Sequence, residues 1–130
     1  MKVYANVQIK DEEILLQEVA PIWKTYPIDK WIFYDDNSTD KTVEVIKDLF
    51  GKESVILNEK LPEYHEARQR SAMLEYSREN QADFCVAIDC DELFSQSLLD
   101  EFKDVLKLNF QYDIFYYWYN VVNGSLKQVR

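Results

Sequence analysis

Val86-Ala87-Ile88-Asp89-Cys90-Asp91-Glu92-Leu93-Phe94 starts as an apolar run and ends in three carboxylates within four positions. In an extended segment, residues two apart point to the same side, so Asp89 and Asp91 present a pair of hard oxygen donors just past a strand end. Open α/β sheets bind their ligands at that place. Crowded like charges need a neutraliser, and for oxygen-only donors this is Mg²⁺ or Mn²⁺. Read alone, the stretch is more readily a solvated acidic turn ahead of a helix than a site, so the segments around it decide.

Upstream, Val3 to Ile9 reads as a first strand, stopping at Lys10-Asp11-Glu12-Glu13. Asp11 is placed as the N-cap of a helix with Ile14, Leu15, Val19, Ile22 and Trp23 at helical spacing, kinked or restarted by Pro21. A second strand, Lys30 to Tyr34, runs into Asp35-Asp36-Asn37-Ser38-Thr39-Asp40-Lys41-Thr42, which caps a helix striped by Val43, Ile46, Leu49 and Phe50 and ended by Gly51. Ser54 to Leu57 is a short third strand, followed by a loop with Pro62 and the loop histidine His65. The next helix carries Ala67, Ser71 and Leu74 along one face, the small residues suiting close packing on a sheet. Asp83 to Ile88 is apolar enough for a central, parallel strand.

Downstream of the acidic stretch, a helix capped near Ser97 turns Leu98, Leu99, Phe102, Val105 and Leu106 inward. Tyr112 to Val122 is strongly β-prone, and Asn123-Gly124 predicts a type I′ hairpin returning through Ser125 to Val129. The aromatic run suits core packing first and sugar stacking second, and the hairpin offers an edge for a homo-oligomer. Alternating strands and helices predict a three-layer α/β/α sandwich with a mostly parallel, Rossmann-like sheet and a C-terminal β-hairpin.

Composition narrows the function. A chain of 130 residues with 47% hydrophobic content and only two Gly is read as one domain that buries roughly two thirds of its unfolded surface. The net charge of -9 disfavours nucleic acid as a partner and favours a divalent cation or an anion bridged by one. The N-terminus has no long apolar signal-like run and no stretch reaches membrane-span length, so a cytoplasmic location is expected. Cys85 and Cys90 fall on opposite faces of one strand, which makes them reduced packing residues rather than a disulfide.

Three acidic clusters therefore follow three strands: Asp11 and Glu12, Asp35 and Asp36, Asp89 and Asp91. In a parallel sheet these ends share one edge and the clusters converge on one crevice. The order Asp35-Asp36-Asn37-Ser38-Thr39-Asp40, Ala67-Arg68, then Ile88-Asp89-Cys90-Asp91-Glu92-Leu93-Phe94 resembles the nucleotide-sugar half of a family 2 glycosyltransferase of GT-A fold, in the branch with a DxDE form of the DxD motif. The resemblance covers nearly the whole chain. It implies a hexosyltransferase-type enzyme taking a sugar from a nucleotide-diphosphate donor, UDP-sugar first, to a glycan, lipid or protein acceptor, with Mn²⁺ or Mg²⁺ as cofactor. By the same resemblance Asp36 accepts a hydrogen bond from the base, Asp35, Lys10 and Asp11 line the donor pocket, and Arg68 stabilises the base or diphosphate. Asp89 approaches the ribose or a metal-bound water, and Asp91 ligates the metal. Arg68 is equally able to form a surface salt bridge with Glu66 or Glu75.

Family members usually continue beyond this point to an acceptor half with a catalytic base, which Asp113 and Glu101 do not match in context, so residues 1–130 are read as a donor-binding domain without that half. Two other readings remain: a non-catalytic nucleotide-sugar-binding module, and a haloacid-dehalogenase-type phosphatase with Asp89 as nucleophile and Asp91 as acid/base. The phosphatase needs a lysine and an acidic pair on later strands, for which little chain remains.

Overall fold

The computed structural model describes residues 1–108, 119–122 and 125–128. Strand β1 (Val3–Ile9) lies between β2 (Lys30–Asp35) and β4 (Phe84–Ala87), with β3 (Ser54–Leu57) outside β2, and every pairing is parallel. Helices α1 (Glu13–Trp23), α2 (Thr42–Phe50), α3 (Glu66–Glu79) and α4 (Gln96–Leu108) alternate with the strands. Side-chain alternation along β1 sorts the layers. Ala5, Val7 and Ile9 pack with Leu16, Val19 and Trp23 of α1 and Val45, Ile46 and Phe50 of α2. Val3 packs with Phe102 and Leu106 of α4, whereas Tyr4 joins Ile32, Tyr34 and Met73 of α3. The sheet is thus covered on both faces, as the α/β/α expectation requires.

Several sequence expectations shift. Among the described residues β4 pairs in parallel with β1 and stands last in the four-stranded sheet, while the strand expected from Tyr112 lies outside the described residues up to Trp118. The apolar look of β4 comes from half-buried Phe84 and Val86, while Cys85 and Ala87 are exposed. On α1 the buried stripe is Leu16, Val19, Ala20 and Trp23, and Ile14 and Ile22 face solvent. On α3 the expected face of Ala67, Ser71 and Leu74 is exposed, and Gln69, Met73 and Ser77 are buried instead. Here polar groups of the sheet select the helix face: Asn6 of β1 accepts from Ser77 Oγ at 3.3 Å, and Gln8 bonds Gln69. Ser95 caps α4, its Oγ accepting from Leu98 N–H at 3.2 Å, two residues ahead of the expected Ser97.

Gly51 ends α2 as expected, with φ +51° in the region that glycine tolerates. Strands β5 (Tyr119–Val122) and β6 (Ser125–Gln128) pair antiparallel, Val122 opposite Ser125, consistent with the predicted return. The turn at Asn123-Gly124, the aromatic run from Tyr112 to Trp118 and Asp113 lie outside the described residues.

The two cysteines differ sharply. Cys90 is buried, and burial first, then the charges of Glu12, Asp91 and Asp89, pushes its thiol up to about 12, whereas Cys85 is exposed. Native protein treated with iodoacetamide at pH 8 is expected to gain one adduct, on Cys85, and a second only after urea unfolding. Peptide mass mapping checks this, and rapid native labelling of Cys90 would contradict the packing.

Candidate functional site

The parallel register aligns Ile9 with Asp35 and Asn6 with Ala87, so the segments after β1, β2 and β4 leave the same edge of the sheet. Each acidic cluster is then held differently.

After β1, Asp11 adopts φ +50°, a left-handed conformation in which Asp is among the better-tolerated non-glycine residues. Its Oδ1 accepts from Thr39 N–H at 2.6 Å, Thr39 Oγ1 at 3.3 Å and Asp40 N–H at 3.2 Å, while its own N–H donates to Ser38 Oγ at 2.9 Å. Glu12 N–H donates to Thr42 Oγ1, and Glu13 N–H to Asp40 Oδ2 at 3.3 Å. The two strand-end loops are therefore laced together across the crevice. This overturns Asp11 as the side-chain cap of α1: Glu12 occupies the N-cap without a side-chain cap bond, and the Asp11 carboxylate is spent on the 39–40 backbone.

After β2, Asp35 and Asp36 are both buried. Asp35 accepts from Ser38 N–H at 3.3 Å and from Asn58 Nδ2 at 3.5 Å. Asn58 also bonds Asn37 Oδ1 at 3.1 Å, tying the end of β3 to the same loop. Asp36 Oδ1 accepts from Gln69 Nε2 at 2.9 Å, and Oδ2 pairs with Lys10 Nζ at 3.9 Å. The structure thus brings Lys10, Asp11, Asp35 and Asp36 into one neighbourhood. Asp40 Oδ1 accepts from Thr42 N–H at 2.8 Å, which starts α2.

Arg68 opens α3 as the sequence suggests, but its guanidinium forks onto Glu59, at 3.0 Å from Nε and 2.7 Å from Nη2, and reaches Glu75 at 3.3 Å. Glu66, the other salt-bridge partner considered, pairs with Arg70. The Arg68 hydrogen bond holds the Glu59 carboxyl below the usual range, and Glu59 also accepts from Tyr34 OH at 3.0 Å. His65 is more than a loop residue: it caps α3, its Nδ1 accepting from Arg68 N–H at 3.0 Å.

After β4, Asp89 and Asp91 are exposed and Glu92 is half-buried, and one carboxylate oxygen of each lies within 4.8 Å of the others. Glu92 Oε2 accepts from Asp89 N–H at 3.0 Å, while Glu92 N–H donates to the Asp89 carbonyl at 3.0 Å, a reciprocal turn that fixes the group. Burial first, reinforced by the charges of Asp89 and Asp91, pushes the Glu92 carboxyl up to about 7. Three converging hard carboxylate oxygens suit a divalent cation. Trp23 Nε1 donates to the Glu92 carbonyl at 3.0 Å, anchoring this turn to the core.

Sequence reasoning did not single out Gln69, Asn58 or Glu59, and it read Glu92 as starting the next turn rather than as a ligand. Gln69 and Asn58 carry no apolar periodicity and no motif signal. Glu92 stood in plain view next to the DxD pair, where its spacing alone does not show a carboxylate folded back toward Asp89.

The sequence profile described as Glycosyl transferase family 2 matches residues 12–128. No curated protein matches the chain. Among solved structures, S. aureus TarS (residues 1–349) superposes with a TM-score of 0.69 at 16% identity, covering 84% of this chain and 33% of that one. At that identity the likeness speaks for the fold alone, and this chain spans about a third of the TarS chain.

Proposed function

The chain belongs to glycosyl transferase family 2 with a GT-A fold, and from that premise we propose that residues 1–130 form a nucleotide-sugar-binding domain that holds a UDP-sugar with the help of Mn²⁺ or Mg²⁺. One observation carries this reading: the carboxylates of Asp89, Asp91 and Glu92 gather at the sheet edge where the loop bearing Asp35 and Asp36 also emerges.

Breaking a glycosidic bond to a diphosphate leaves negative charge on the leaving group, and the step is fast only where that charge is stabilised. A divalent ion bound there supplies Lewis-acid stabilisation of the diphosphate. Asp91 and Asp89 would hold it, joined by Glu92, whose carboxylate lies within the same 4.8 Å group. Asp36 would accept an N–H from the base edge, with Lys10 beside it able to swing to the phosphate side. Asp35 and Asp11 serve by shaping the pocket through the bonds they make to residues 38–40. Arg68 reaches a diphosphate only by releasing Glu59, so its contribution depends on ligand-driven exchange of that ion pair.

No helix among the described residues is long and apolar enough to cross a membrane. Calorimetric titration of UDP with and without Mn²⁺ tests the reading: binding that requires the metal is expected, and absence of metal-dependent binding would overturn it. A transfer or hydrolysis assay with UDP-sugars then separates an enzyme from a module that only binds.

A further inference from the structure

The geometry points to Gln69 as a positioning residue that aims the Asp36 carboxylate at a nucleobase N–H, an inference that rests on the reading of Asp36 as the base contact. Gln69 is fully buried on the face of α3 that meets the sheet, between Asp36 and Gln8. A buried amide with unmade bonds is destabilising, and a hydrophobic residue would fill that volume without the risk. The amide is therefore best understood from its bonds. Asp36 offers only acceptors, so the Gln69 Nε2 end must face it, at 2.9 Å. The Oε1 end then accepts from Gln8 Nε2 at 3.0 Å, which opposes a flip that would set carbonyl against carboxylate.

The chain Gln8 to Gln69 to Asp36 thus has a single direction and terminates on one oxygen, Oδ1. The other oxygen, Oδ2, is left with Lys10 at 3.9 Å, and the Lys10 side chain is 56% exposed and free to move aside. One oxygen is locked into the fold so that its twin is presented to a ligand in a fixed orientation. A base edge carrying an imide N–H, such as uracil at N3, complements that acceptor. The analogue methylated at N3 has lost the donor and meets the same oxygen with a methyl group.

The test compares the affinity of UDP with that of N3-methyl-UDP, by calorimetry with Mn²⁺ present, in wild type, Gln69→Met, Asp36→Asn and the double variant. Gln69→Met keeps the side-chain length and removes both bonds, and it is expected to weaken UDP binding by about 10-fold while leaving the methylated analogue unaffected, as befits a hydrogen bond to a charged acceptor. Asn at position 36 still accepts from Gln69 but turns its amide donor toward the base, so discrimination is lost. Adding Gln69→Met to Asp36→Asn should then reduce UDP affinity no further, whereas a purely structural glutamine would weaken every background and both ligands alike. Should Gln69→Met fail to fold by circular dichroism, Gln8→Met replaces it, with about a 3-fold loss of discrimination expected from loosening the far end of the chain. A wild type that discriminates while the folded glutamine variant keeps the same ratio overturns the inference alone. A wild type that does not distinguish the two nucleotides overturns the role of Asp36 and this inference together.

Discussion

Asp91→Ala is expected to weaken Mn²⁺-dependent UDP binding by on the order of 100-fold, about 3 kcal/mol, with little change in fold. Asp91 is exposed, and its carboxylate lies within 4.8 Å of those of Asp89 and Glu92. The hydrogen bonds that shape this turn run between Asp89 and Glu92 and from Trp23, so truncation of Asp91 leaves them in place. What would be lost is one hard oxygen donor, and with it part of the negative charge that would hold a divalent cation and, through it, the diphosphate. Calorimetry with the metal and nucleotide together, beside a circular dichroism spectrum, checks the expectation. Metal-dependent binding that survives unchanged would remove Asp91 from the ligand set.

The largest stability effect is expected at Trp23. The ring is fully buried and stacked on Trp31, with centroids 5.0 Å apart and planes 8° from parallel. Tyr26 lies at 6.5 Å from Trp31 and stacks in turn on Phe94 at 5.1 Å, so the cluster joins α1, β2 and the segment following the acidic turn. Trp23→Ala should cost about 4 kcal/mol, a large cavity with little freedom to collapse between helix and sheet. Trp23→Phe keeps most of the packing and loses the bond to the Glu92 carbonyl, for about 1 kcal/mol. Urea unfolding measures both, and an alanine variant within 1 kcal/mol of wild type would contradict the packing described.

The strands were readable because their signal is local: β1 and β3 fall where alternation and β-branched residues put them, and β2 runs one residue further, to Asp35. The shared acidic edge followed from strand order and parallel pairing. What the sequence hid depends on partners distant in the chain. The small-residue face turned α3 the wrong way, because its buried face joins Met73, packed on Tyr4, Ile32 and Tyr34, to Gln69 and Ser77, which bond Asp36, Gln8 and Asn6. Asp11 looked like a cap because it precedes a helix, yet its partners lie some 28 residues ahead. Arg68 read as a diphosphate contact or as a salt-bridge partner of Glu66 or Glu75, and it does pair with Glu75, while its closer partner Glu59 sits in a loop without a pattern of its own.

The lacing of Asp11 to Ser38, Thr39 and Asp40 has an entropic consequence. Loops that must be ordered by a ligand draw that ordering from the binding free energy. Here the middle of the crevice, formed after β1 and β2, is already held in place by the protein's own bonds. Affinity there is set by complementarity, and any induced fit falls to the two flanks: the exposed Asp89 and Asp91 after β4 on one side, and Arg68, which must let go of Glu59, on the β3 side. The crevice has a fixed centre between two adjustable flanks.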